Sequence, residues 1–144
     1  MIVDANLLLY ARNSADERHD RAREWLESSL NGTTRVGLPW WSLAAFVRTS
    51  TNPRAFPDPL TPDQAADQVE EWLDAPCAWL AEPTANFRRV LIGLIRKYSV
   101  RGALTTDAQL AALAIDHGVS LASTDSDFAR FREMTWIDPL EGTS

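Results

Sequence analysis

The chain has 144 residues, enough for one domain, expected over 1–144, to bury a core without disulfides or a structural metal. Hydrophobic residues make up 45% and charged residues 24%, and no apolar run approaches the roughly 18 residues of a membrane span, so a soluble, non-membrane protein is expected. A net charge of -6 argues against gripping nucleic acid by bulk positive charge, although an acidic cluster loaded with divalent cations reverses its local sign.

The chain opens on a short apolar strand, residues 2–4, running into Asp4, Asn6 and a helix that begins at Leu7–Ala11. A signal peptide's basic flank, long apolar stretch and cleavage site are lacking, and Cys77 is the only cysteine, which points to the cytosol. Cys77 itself reads as a small buried hydrophobe. Asp16–Leu30 has Ala22, Trp25, Leu26 and Leu30 at helical spacing, and His19, one turn before Ala22, reads as a packing or capping histidine. Val36–Leu38 is a second strand, closed by Pro39. The run Trp40–Thr51 is helical and too apolar for a surface helix, so it is core or a dimer seam. Asn52–Pro59 holds three prolines and is an extended connection. Thr61-Pro62-Asp63-Gln64 is a helix start, with a cap, a proline at the first helical position and a reciprocal Gln.

Ala78–Ala81 is a third strand, and Thr84 is expected to cap a helix carrying Phe87, Val90, Leu91, Leu94, Ile95 and Tyr98 as an apolar stripe. Thr105 or Thr106 is expected to cap the next helix, which bears Asp107 in its first turn and ends at His117-Gly118. Val119–Ser123 is a fourth strand, Ser126–Phe131 a helical turn, and Thr135–Ile137 a last strand before the polar tail Glu141–Ser144. Strands separated by helices imply an α/β fold, with a mostly parallel sheet between two helical layers and the first strand at its centre.

Asp4, Asp107 and Asp125 each stand at a junction where such a sheet opens its crevice. Carboxylates brought together there repel unless a cation lies between them, and Mg²⁺ or Mn²⁺ suits an all-oxygen set. That arrangement performs metal-assisted hydrolysis without a His base. Taken singly, each acid also fits a blander role: Asp107 complements a helix dipole, Asp125 and Asp127 suit a turn, and Asp4 suits a solvated strand end. Of 14 basic residues all but Lys97 are arginines; an early group (Arg12, Arg18, Arg21, Arg23) and a late one (Arg88, Arg89, Arg96, Lys97, Arg101) could each meet phosphate or line a solvated face.

Several stretches together resemble the PIN-domain ribonucleases, and within them the VapC-type toxins of bacterial toxin–antitoxin pairs, especially a subgroup abundant in mycobacteria. The matching stretches are Val3-Asp4-Ala5-Asn6-Leu7-Leu8, His19 with Ala22 and Trp25, Leu38-Pro39-Trp40, Phe46-Val47-Arg48, Thr51 to Phe56, Thr106-Asp107-Ala108 through Ala114, and Ser123-Thr124-Asp125-Ser126-Asp127-Phe128. The resemblance implies a three-layer α/β/α PIN-like fold, Mg²⁺-dependent (or Mn²⁺-dependent) endoribonuclease activity on RNA, and a cognate VapB-like antitoxin that inserts an Arg or Lys among the acids. By position it makes Asp4, Asp107 and Asp125 the metal ligands, places Asp127 nearby among the catalytic acids, and has Asn6 and Thr124 orient them by hydrogen bonds. One position departs: where many PIN nucleases carry a glutamate, this chain has Ala45, with no acid between Val36 and Pro57.

Two other readings stand beside this one. A haloacid-dehalogenase-like phosphatase would use Asp4 as nucleophile, but it wants a second acid where Asn6 stands. A PIN-like module that binds RNA or antitoxin without cutting is compatible with Ala45. Trp40, Trp41 and Phe56 offer more apolar surface than one core should need, so a homodimer is expected.

Overall fold

A computed structural model describes residues 1–141; residues 142–144 of the expected polar tail lie outside the described residues. Five short strands, β1 (Ile2–Val3), β2 (Val36–Gly37), β3 (Ala78–Trp79), β4 (Leu121–Ala122) and β5 (Trp136–Ile137), alternate with six helices. All pairings are parallel, in the order β3-β2-β1-β4-β5. The central place of β1 and the parallel sheet agree with the expectation. The strands are shorter than expected, but the ladder's hydrogen bonds run one residue further, as from Asp4 N–H to Ala122 O at 3.0 Å and from Leu38 N–H to Trp79 O at 2.8 Å.

The two-residue alternation of the strands divides the core. Val3 and Ala122 face one layer, made by α1 (Ala5–Arg12), α2 (His19–Leu30), α3 (Trp40–Ser50) and α4 (Pro62–Leu73). Ile2 and Leu121 face the other, made by α5 (Phe87–Tyr98), α6 (Leu104–His117) and the 3-10 turn Ser126–Arg130. Both layers are closely filled, with Phe46, Phe128 and Phe131 among the largest fully buried side chains. No helix among the described residues is long and apolar enough to cross a membrane.

The expected start of α4 is present as a complete capping box: Gln64 N–H donates to Thr61 Oγ1 at 3.1 Å, and Thr61 N–H donates to Gln64 Oε1 at 3.0 Å. Two other caps are not where they were expected. Thr84 donates to Asp116 on α6, and its hydroxyl accepts from Asn86 N–H ahead of the helix, so α5 begins after Asn86 without a side-chain cap. Thr105 and Thr106 lie inside α6, which begins at Leu104. Phe56 is buried at 5% exposure and Trp41 packs on Phe87 at 5.6 Å, so of the apolar surface expected to exceed the core only Trp40 stays open, at 51%.

The connections β1 to β2 to β3 proceed to one side, and the chain then returns to lay β4 on the other side of β1. The sheet's topological switch therefore lies between β1 and β4, where loops diverge and leave a crevice at the strands' carboxyl ends. Asp4 follows β1, and Asp125 follows β4 by three residues.

Candidate active site

Asp4 leaves the sheet in an extended conformation and serves as N-cap of α1, its Oδ1 accepting from Ala5 N–H at 2.7 Å. Its Oδ2 accepts from the Ser123 hydroxyl at 2.7 Å. Ser123 is fully buried, and the same hydroxyl accepts from Asn6 Nδ2 at 3.1 Å and from Asp125 N–H at 3.0 Å. One donor and two acceptor positions are thereby used, which is all a hydroxyl has. Asp4, Asn6 and the turn after β4 are locked together through this one oxygen.

Asp125 caps the 3-10 turn, accepting from Asp127 N–H at 2.9 Å. Asp107 comes from the first turn of α6. One carboxylate oxygen from each of Asp107, Asp125 and Asp127 lies within 4.8 Å of the others. Asp4 stands beside this trio, near enough that its charge acts on Asp107. Burial, then the charges of Asp125, Asp4 and Asp127, push the Asp107 carboxyl up to about 6, against the pull of Arg130. Burial also raises Asp4, opposed by its bonds from Ser123 and Ala5.

The donor set fits a hard divalent cation. It is all oxygen, and its mutual repulsion is what a cation would relieve. Asn6 Oδ1 is in addition buried without a hydrogen-bond partner among the described residues, an unmet demand beside the acids that a water or hydrated ion would meet. The three oxygens would hold such an ion together with water.

The geometry differs from the expected set in two respects. Asp127 shares the tight trio with Asp107 and Asp125, while Asp4 is held one step back by Ser123. Thr124 makes no hydrogen bond to the acids among the described residues; Ser123 is the hydroxyl that bonds the Asp4 carboxylate and the Asp125 N–H, and Asn6 reaches Asp4 through it. The signal for Ser123 was its place two residues before a turn acid, the spacing at which a hydroxyl accepts the turn's N–H. Ala45 sits on α3 one turn after Ser42, whose hydroxyl bonds Val3 O at 2.6 Å, so the position without an acid faces the β1 end. His19 bonds Tyr10 O through Nδ1 at 2.9 Å, and it is not among the acids.

The PIN domain family pattern matches residues 1–134. "Ribonuclease VapC37" of Mycobacterium tuberculosis is 44% identical over 138 residues, covering 96% of each chain. Among solved structures, VapC20 of M. tuberculosis, described as a sarcin-ricin loop cleaving toxin, superposes with a TM-score of 0.66 at 17% identity, covering 90% of this chain and 93% of its own. A toxin-antitoxin complex from Klebsiella pneumoniae contains a chain that superposes at 0.61 and 14% identity, with 96% of each chain covered. Those two likenesses concern the fold, whereas the sequence match to VapC37 extends over nearly the whole length. The chain belongs to the PIN-domain family, in its VapC-type branch.

Proposed function

We propose that this protein is the toxin of a toxin–antitoxin pair and a metal-dependent endoribonuclease that hydrolyses RNA phosphodiester bonds. The observation that carries the reading is the convergence of Asp107, Asp125 and Asp127, with Asp4 locked beside them, at the sheet's switch point. The relatives named as VapC ribonucleases support it. Asp107, Asp125 and Asp127 would hold the cation, and Asp4 keeps a free lone pair on each oxygen with which it would complete the site. When bound, Mg²⁺ or Mn²⁺ would neutralise these acids and polarise a phosphoryl oxygen. Ser123, held by Asn6, keeps the Asp4 carboxylate from rotating away, and Asp127 N–H does the same for Asp125.

A cognate VapB-like antitoxin is the proposed partner. The acid cluster suits a guanidinium, whose charge can stand in for the cation's. With Ala45 where an acid would add a ligand, metal binding should be weak enough that Mn²⁺ supports more activity than Mg²⁺ at equal concentration. The test is cleavage of single-stranded and structured RNA with each metal, by wild type and Asp4→Asn. Cleavage that requires metal and is lost in Asp4→Asn supports the reading. RNA binding without cleavage under all metals would leave a binding module instead.

A further inference from the structure

We propose that Arg96, Arg101 and Arg132 form a cationic rim on one side of the acid site that takes the phosphates of the RNA strand; this rests on the ribonuclease reading. The rim is assembled by the α5–α6 reversal. Ser99 ends α5 in the left-handed conformation (φ 50°), and Gly102 (φ 58°) completes the turn, so the chain passes from Tyr98 to Leu104 in five residues. Arg101 lies in that reversal, just ahead of the helix turn that bears Asp107. Tyr98 then fastens the end of α5 to the segment after the acid-bearing 3-10 turn. Its hydroxyl accepts from Arg132 N–H at 3.2 Å and donates to Glu133, and its ring meets Phe131 edge-on at 5.2 Å. Lys97 adds an ion pair to Glu133 at 3.4 Å.

Five exposed cations thus border the two elements that supply Asp107, Asp125 and Asp127. Lys97 is committed to Glu133 and Arg130 to Asp127, the latter at 3.7 Å. Arg96, Arg101 and Arg132 have no carboxylate within ion-pair distance among the described residues, although the chain has 20 acids for 14 bases. An acidic chain repels a polyanion at long range, so a strand reaching the cluster needs local positive charge. Unpaired guanidiniums at the edge of the site supply it, and their planar forks suit phosphate oxygens. The arginines at the other end of α5, Arg88 and Arg89, carry equal charge but are remote from the acid-bearing turn, so they serve as an internal control.

The experiment measures the affinity of a fluorescein-labelled, single-stranded RNA of mixed sequence against salt, in an Asp4→Asn background with Ca²⁺ present. Three lost phosphate contacts should reduce the magnitude of the log Kd versus log salt slope by about 2 in the triple variant R96Q/R101Q/R132Q. Affinity at 100 mM salt should fall roughly tenfold or more. R88Q/R89Q should leave both within twofold, and thermal melts check that all variants are folded. In the Asp4 protein, the triple variant should raise KM with kcat little changed. Equal slopes for the triple variant and its parent, or equal losses in R88Q/R89Q, would overturn the rim. If RNA binding survives in the triple variant and antitoxin binding is lost, the rim serves the protein partner and the RNA assignment is wrong. Should no protein cut RNA with Mg²⁺ or Mn²⁺ while the slope still falls, the rim stands and the ribonuclease reading fails.

Discussion

Asp107 is a site where function and stability oppose each other. Its carboxyl is pushed to about 6 in the folded protein, above the roughly 3.9 of an unfolded Asp. Between these values the folded state binds the extra proton, so stability falls as pH rises, and the cost is complete above about pH 7. Asp107 is half-exposed, and solvent screening reduces that cost to about 1 kcal/mol. Asp107→Asn should therefore melt higher than wild type at pH 7.5 in EDTA, with the gap narrowing at pH 5, and should cut no RNA. A lower melting temperature for the variant at pH 7.5 would remove the repulsion argument. Ser123→Ala should do the opposite. It strips the one oxygen that serves Asp4, Asn6 and Asp125 N–H, and leaving such groups unpaired costs about 2 kcal/mol, readable as a lower urea midpoint. The acids were legible in the sequence because each stands beside a strand end or helix start. The role expected of Thr124 falls to Ser123, because which hydroxyl faces the crevice depends on where the strand stops, and β4 stops at Ala122.

At the scale of elements, legibility followed how local the determining contact is. The Thr61 cap depends on residues three positions apart and was readable; Thr61→Ala should cost about 1 kcal/mol, confined to α4, as a modest shift in the urea midpoint. Thr84 depends on Asp116, 32 positions away, and no local pattern reveals that. Gly37 is another long-range case. A Cβ there would lie 2.6 Å from Ile2 Cδ1, 3.1 Å from Met1 O and 3.2 Å from Trp79 Cε3. The backbone and the Trp79 ring have little room to yield, so Gly37→Ala should destabilise by about 1–3 kcal/mol. An unchanged midpoint would show that the sheet adapts.

For the whole molecule, alternation of strands and helices was enough to foresee a parallel sheet, and the position of β1 its centre. The order of β3 and β5 at the edges was not readable, since it is set by crossovers rather than by any one segment. The homodimer is proposed on narrower ground than the sequence suggested: Trp40 at 51% and Ile92 at 42% are the most exposed large apolar side chains, one on α3 and one on α5. Sedimentation at tens of micromolar should give a dimer for wild type and a monomer for Trp40→Ser/Ile92→Ser; a wild-type monomer without antitoxin would count against it. The bond between Ser123 and Asp4 has a consequence for biosynthesis. It joins residues 119 positions apart, and β1 has its partner β4 only once the chain has been made as far as Ala122. A nascent or prematurely terminated chain that lacks β4 cannot gather the carboxylates, so the polypeptide stays inert until that strand has been made. Folding should be slow for a domain of this size, because closing so long a loop precedes any reward from the contacts it allows.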